Sequence, residues 1–530
     1  MYAIEIKFLA GQAGAPMNWV PVILCGALGF GLVWIFLALI IRHCQSSKPV
    51  RDSDLHHTHQ GQIPRVGGLG LVGAFIILEL FIALVFPESY GHIPSRPAAA
   101  LSCLAMFGLG FWDDLRPLGA RRKLLAQIFI ALLACYFGLQ IELFKIPFTG
   151  RVIELGGWSC LVTTAWLVGI TNVMNLIDGV DGLAGGIALM LMALLVYVGS
   201  QNGTYVLLTA GMTGALLGFL QYNFPPARIY LGDGGAYFLG FQIGLFSIIG
   251  SHKGSVVAAL IAPLFVLALP IVDAALAILR RGLQGLPVFR PDRRHLHHRL
   301  LKSGMSRRQV VLAMYGVSLL FLFLGFAAFW SRGHLVPVLS GLAALILLLC
   351  AGKLNFSREW FAVGRTLGNS LALRREVQYA LALTSWLKRE GGRSPSLRSL
   401  FEDLVFAARR LGFTSVKLTL ADGQRSWGDP ERLRPRSFFR RELRSGRFGV
   451  LELGAPVCAH STGVRHPNQL CPGPACPCVG DPRLFEIMSE LLAEGWIAAA
   501  GRARPSRSQL RFDLKSDPGR SRSRDFWKTV

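Results

Sequence analysis

Five aspartates stand at the ends of apolar segments: Asp113 and Asp114, Asp178 and Asp181, and Asp233. An ionised carboxylate at the centre of a bilayer costs ~3 kcal/mol on insertion scales, so five of them need water or a cation beside them. Three histidines, His295, His297 and His298, share a loop with Arg290, Arg293, Arg294 and Arg299. Imidazoles crowded by guanidinium groups make a poor transition-metal site. The same mixture of cationic and hydrogen-bonding groups suits phosphate oxygens. The two sets together point to a divalent cation and a phosphate at a membrane surface.

Each segment also has a plainer reading. In NVMNLIDGVDGLAGG, Asn172 to Gly186, Asn172 and Asn175 share a helix face by spacing, as do Asp178 and Asp181, while Gly179 and Gly182 loosen the turn. Such a turn binds a nucleoside, a metal or both, or it is a capped helix start with Asp181 as N-cap. In FGLGFWDDLRPLGARRKLLAQ, the adjacent Asp113 and Asp114 disfavour joint ionisation and call for a counter-cation, with Arg116, Arg121, Arg122 and Lys123 close by. Those cations either follow the positive-inside bias or hold a lipid phosphate. Asp233 is flanked by Gly232 and Gly234, so backbone can approach a ligand closely, or the segment is a plain reentrant turn. The histidine loop has a solvated basic loop as its alternative. IPRVGGLG puts Arg65 at the start of an apolar run, after His56, His57 and His59.

The elements that carry these residues are apolar helices. The chain has 530 residues, is 52% hydrophobic with mean hydropathy +0.45, and carries a net charge of +24. That is too apolar for a soluble protein, and its positive charge reads first as positive-inside bias and attraction to anionic lipid. No nucleic-acid partner is expected. Apolar segments of spanning length fall at 19–41, 66–86, 98–112, 124–140, 158–174, 183–200, 204–221, 235–250, 255–279, 311–330 and 335–351. The fold class is therefore an all-α polytopic membrane protein of about eleven transmembrane helices, the first retained as a span, in a multi-pass domain over 1–352. Pro263 and Pro270 predict that the ninth is broken. Every second connection is basic, most of all Arg280 to Arg308, which places the N-terminus outside and the five aspartates on the cytoplasmic side. Glu79 lies within the second span, either snorkelling or functional.

Beyond Leu354 the pattern becomes that of a soluble region. A juxtamembrane helix and linker over 353–395 leads to a cytoplasmic α+β domain over 396–500, with a helix near 396–411, a strand at Val416 to Leu420, a hairpin from Phe438 to Leu453 and a closing helix from Leu484 to Ala499. Its order resembles a reduced GAF-type sensory domain, which would take a ligand or partner of its own. Cys458, Cys471, Cys476 and Cys478, with His460 and His466, either hold zinc or are free thiols in a Pro-rich loop. Residues 501–530 read as a basic disordered tail.

In this order and on alternating helix ends, the five segments resemble the polyprenyl-phosphate N-acetylhexosamine-1-phosphate transferases of glycosyltransferase 4 type, over roughly residues 20–350. That family includes, more distantly, the phospho-MurNAc-pentapeptide transferases. The resemblance implies magnesium, with manganese as the alternative, held by Asp233 and Asp114. It gives Asp113 to the lipid phosphate, Asn175, Asp178 and Asp181 to nucleotide and metal, and His295, His297, His298 and Arg299 to the diphosphate. His59, Arg65, Lys123 and Asn172 fall in its substrate-binding segments. The His-x-His-His form looks like the GlcNAc-1-phosphate branch.

Two departures stand out. His56-His57 replaces a common Arg-Lys pair, and Gly234-Gly235-Ala236 replaces a usual Thr-Gly-Ser, which removes a hydroxyl near the expected metal.

The implied reaction joins GlcNAc-1-phosphate from a UDP-sugar to undecaprenyl phosphate in a bacterial inner membrane, and the enzyme could act as a homodimer. A MurNAc-pentapeptide donor, a transporter and a non-catalytic scaffold are the alternatives. A transporter should show internal repeats and midplane charges, and a dead scaffold should have lost acidic motif residues.

Overall fold

The computed structural model describes residues 19–46, 63–88, 95–145, 152–202, 205–249, 263–286, 296, 300–301, 303–331, 335–353, 374–394, 396–420, 423–428, 437–443, 449–455 and 482–502. His59, His295, His297, His298, Arg299, the four tail cysteines and the 501–530 tail, save Gly501 and Arg502, lie outside them. Two compact units emerge: Met1–Ala277 with Pro291–Ser357, and Ile278–Arg290 with Arg358–Val530.

The first unit is helical. In chain order its helices are α1 (Trp19–Ser46), α2 (Gly67–Val85), α3 (Arg96–Leu115), α4 (Ala120–Tyr136), α5 (Ser159–Ile177), α6 (Leu183–Asn202), α7 (Val206–Asn223), α8 (Gly232–Ile249), α9 (Ala268–Gln284, whose last turns belong to the second unit), α10 (Arg307–Trp330) and α11 (Val336–Lys353). A short hairpin, β1 (Leu143–Lys145) and β2 (Val152–Glu154), links α4 to α5. Among the described residues six helices are long and apolar enough to cross a membrane: Trp19–His43, Gly67–Val85, Arg96–Leu115, Gly156–Ile177, Leu183–Ser200 and Arg307–Ala327. A polytopic membrane protein is the result. Ahead of α9, a turn at Leu267 separates helical residues 263–266 from Ala268, near the prolines at 263 and 270.

Packing follows from small residues. A Cβ on Gly214 would fall 1.8 Å from the carbonyl oxygen of Gly26, so α1 and α7 meet backbone to backbone. α8 is the centre of the unit: from Gly234 to Ile249 every residue is buried, by α2, α3, α5 and α6. A helix apolar on all sides belongs in such a position. Because α2 to α8 run alternately, the N-termini of α2, α4, α6 and α8 meet the C-termini of α3, α5 and α7 at one end of the bundle. All five aspartates lie there.

The second unit has an antiparallel sheet of β3 (Ser415–Leu420), β4 (Gly423–Trp427), β5 (Ser437–Glu442) and β6 (Val450–Ala455), in the order β4-β3-β6-β5. A helix over 374–390, α12 (Leu397–Arg410) and α13 (Pro482–Ala500) pack with it. Alternation in β3 sends Val416 and Leu418 into the core and Lys417 outward. Ser396 caps α12 by accepting the N–H of Ser399.

Candidate active site

The site begins where two backbone segments pair through three hydrogen bonds. Gly67 and Gly68 donate their N–H groups to the carbonyls of Tyr230 and Leu231, at 2.9 and 3.0 Å, and Tyr230 donates to Pro64 at 2.9 Å. This pairing lays Arg65 alongside the approach to α8. Gly232 then turns the chain at φ +79°, where a Cβ would stand 2.8 Å from Asp114 Oδ2. Only glycine fits both the left-handed backbone and that approach.

Asp114, in the last turn of α3, accepts the N–H of Asp233 at Oδ1 (3.0 Å) and of Gly234 at Oδ2 (2.9 Å). A carboxylate thus satisfies two orphan donors of the α8 N-terminus. Asp233 Oδ1 accepts from Asn175 Nδ2 at 3.0 Å, and its Oδ2 lies 3.5 Å from Lys123 Nζ. Lys123 also pairs with Asp113, which accepts the N–H of Leu118 at 2.6 Å. One ammonium therefore compensates two carboxylates from different helices.

Asp178 follows α5, and Asp181 is buried, its Oδ2 accepting from Ala227 N–H at 3.3 Å. Withdrawal of Asp178 from solvent, followed by the charges of Asp233 and Asp114, holds its carboxyl well above the usual carboxylate range. Arg65, Asp114, Asn175, Asp178, Asp181 and Asp233 line one cavity of about 60 Å³. At about 10–15 Å³ per ordered water, it has room for a cation with a few waters.

Asn172 is not part of this lining. Its Nδ2 donates to Gln127 Oε1 at 2.7 Å and to the Val168 carbonyl at 2.8 Å, which joins α5 to α4 one turn from the helix end. Asp113 and Lys123 stand beside the cavity without lining it. Asn223 and Tyr230 line it although sequence reasoning did not single them out. Asn223 carried a signal, an amide closing an apolar helix before two prolines. It is buried, accepting the Gly182 N–H at 2.9 Å and donating to Ile229 O at 2.8 Å.

Hard carboxylate oxygens suit magnesium. Among the described residues no three His, Cys, Asp or Glu side chains converge on one point. The glycine at 234 also has a physical reason: a Cβ there would lie 3.0 Å from the Phe111 backbone nitrogen.

A cluster of carboxylates, amides and two cations at one end of an apolar helix bundle is suited to a polyanionic ligand. The profile of glycosyl transferase family 4 matches residues 97–251. Over 266 residues the chain is 34% identical to the probable undecaprenyl-phosphate N-acetylglucosaminyl 1-phosphate transferase of Bacillus subtilis, covering 50% of this chain and 72% of that protein. It is 32% identical to the decaprenyl-phosphate N-acetylglucosaminephosphotransferase of Mycobacterium tuberculosis, covering 57% and 82%. It is also 32% identical to the phospho-N-acetylmuramoyl-pentapeptide-transferase of a Thermoanaerobacter species, covering 54% and 90%. The chain belongs to glycosyl transferase family 4, and it is an enzyme of the phosphotransferase type.

Proposed function

We propose that this enzyme transfers N-acetylglucosamine-1-phosphate from UDP-GlcNAc to undecaprenyl phosphate, starting a lipid-linked glycan of the bacterial envelope such as an O-antigen, a cell-wall polymer or an exopolysaccharide. The carrying observation is the single cavity that gathers Asp114, Asp178, Asp181 and Asp233 with Arg65 at one end of the helix bundle. The names of the relatives support the lipid acceptor and the hexosamine-1-phosphate donor. The His-x-His-His form favours GlcNAc over the MurNAc-pentapeptide donor.

An oxygen of the lipid phosphate attacks the sugar-bearing phosphorus. A new P–O bond forms, the bond to the UMP phosphate breaks, and UMP leaves. Phosphoryl transfer needs positioning and charge compensation more than a protein nucleophile. Asp233 and Asp114 would hold magnesium, or manganese in its place, which supplies compensation for the charge on the leaving phosphate. Lys123, oriented by Asp113 and Asp233, meets the lipid phosphate, and Arg65 meets the diphosphate. Asn175 fixes the Asp233 carboxylate, and Asp178 and Asp181 face the nucleotide. The topology that fits has these groups in the cytoplasm. In the second unit, the sheet order with helices beside it supports a GAF-like sensory role.

The test mixes membranes containing the protein with labelled UDP-GlcNAc and undecaprenyl phosphate, then extracts with butanol. Label should enter the lipid phase, stop on chelation and return with magnesium. Absence of magnesium-dependent lipid label would refute the reading, and label from UDP-MurNAc-pentapeptide alone would move it to the other branch.

A further inference from the structure

Helix α10 lies about 130 residues beyond the Asp178–Asp181 turn and carries no acidic residue, yet it reaches two of the segments beside the cavity. Tyr315 donates its hydroxyl to the carbonyl of Gly182, the residue after Asp181. Arg308, two turns earlier on the same helix, donates Nε–H to the carbonyl of Pro225 at 2.8 Å. The two loops are joined to each other as well. Asn223 Oδ1 accepts the Gly182 N–H, and Asp181 Oδ2 accepts the Ala227 N–H.

Gly182 is therefore held at its N–H by one helix end and at its C=O by another helix, while it turns the chain at φ +78°. A glycine at positive φ has wide conformational freedom, so it gives Asp181 no fixed direction by itself. The Gly182 carbonyl accepts the Gly186 N–H at 2.9 Å in the first turn of α6, and the Asn223 and Tyr315 contacts hold the same peptide from outside that helix, which removes that freedom. The seat for the phenol is built: a Cβ on Gly186 would fall 2.0 Å from Tyr315 Oη, so Gly186 leaves the space the hydroxyl occupies.

We propose that Tyr315 is a positioning residue for nucleotide binding, holding the Gly182 peptide so that Asp181 and Asp178 face the cavity. The proposal rests on the functional reading above. Arg308 acts beside it by fixing the companion loop at Pro225. The hydroxyl touches no reacting atom, and its effect falls on the nucleotide side of the reaction while the lipid side, at Lys123 and Asp113, is untouched.

Tyr315→Phe removes one oxygen and leaves the ring. In the purified full-length protein with magnesium present, titration calorimetry with UMP should show binding weakened about tenfold, as expected for loss of a buried hydrogen bond. In transfer assays KM for UDP-GlcNAc should rise by a similar factor, with KM for undecaprenyl phosphate unchanged. Gly186→Ala, which displaces the phenol and keeps its hydroxyl, should shift the same two quantities. UMP affinity and both KM values at wild-type levels in Tyr315→Phe would overturn the proposal. So would a variant that only loses folded yield, since a purely structural role lowers active protein without moving KM for one substrate. If wild-type protein makes no lipid-linked sugar from any UDP-sugar, the functional reading fails instead.

Discussion

Asp114 and Gly234 are 120 residues apart, yet the carboxylate of one accepts the backbone N–H of the other at 2.9 Å while its second oxygen takes the N–H of Asp233. The same side chain thus caps α8 and faces the cavity. Asp114→Ala should lower thermal stability by about 1–2 kcal/mol, as for loss of a helix cap, and abolish transfer. Asp114→Asn keeps a carbonyl acceptor and should recover much of the stability with activity still down more than about 100-fold, as for loss of one electrostatic contact in a transition state. Thermal unfolding in detergent, read beside the butanol-extraction assay, separates the two roles. Equal activity in Asp114→Asn and wild type would remove Asp114 from the chemistry.

Gly234 stands where the family pattern noted in the sequence would place a threonine. Restoring it should harm this protein. The new Cβ would press on the Phe111 backbone nitrogen at 3.0 Å and on the Phe107 ring at 3.2 Å, and backbone cannot give way as a flexible side chain can. Gly234→Thr is expected to cost about 1–3 kcal/mol, the range for overpacking. A lower unfolding midpoint with reduced transfer is the outcome to look for.

Asp178 predicts a trade between stability and function. Its carboxyl is held above the usual range, so the folded protein binds a proton that the unfolded chain has released. Its contribution to stability is therefore present at low pH and lost as pH rises from the ordinary carboxylate pKa through the raised one. In metal-free protein, Asp178→Asn should be more stable than wild type above that window, and the gap should close on acidification. Transfer should be lost at every pH. An unfolding midpoint for Asp178→Asn below wild type at neutral pH would contradict the sign.

The aspartates were legible in the sequence because a carboxylate within an apolar span is costly, so its usual place is at a wet end. The Gly-rich turns were legible for the related reason that backbone must come close there. Asn172 misled, since its spacing from Asn175 puts both on one helix face, but one turn of depth brings it to Gln127 on α4. Tyr315 left no local trace, because it acts through a partner far along the chain. Strand β4 was missed for another reason. Its sequence, GQRSW, has no apolar alternation and pairs with β3 through the backbone ladder.

Glu79 left snorkelling and function open, and the fold answers with an ion pair. Arg96 Nε lies 3.0 Å from Glu79 Oε2, with the two side chains 3% and 11% exposed, and the guanidinium sits over the Tyr205 ring at 5.2 Å. The pair joins α2 to the start of α3, away from the carboxylate cavity. Removing one partner strands a buried charge, which costs about 3–5 kcal/mol, whereas replacing both with apolar groups of similar volume is often neutral. Glu79→Leu should therefore destabilise strongly, and Glu79→Leu with Arg96→Met should recover most of the loss while keeping KM for UDP-GlcNAc at the wild-type value. Thermal unfolding of the four proteins in one double-mutant cycle measures the coupling. If the double variant is folded and stable but inactive, Glu79 and Arg96 belong to the reaction after all.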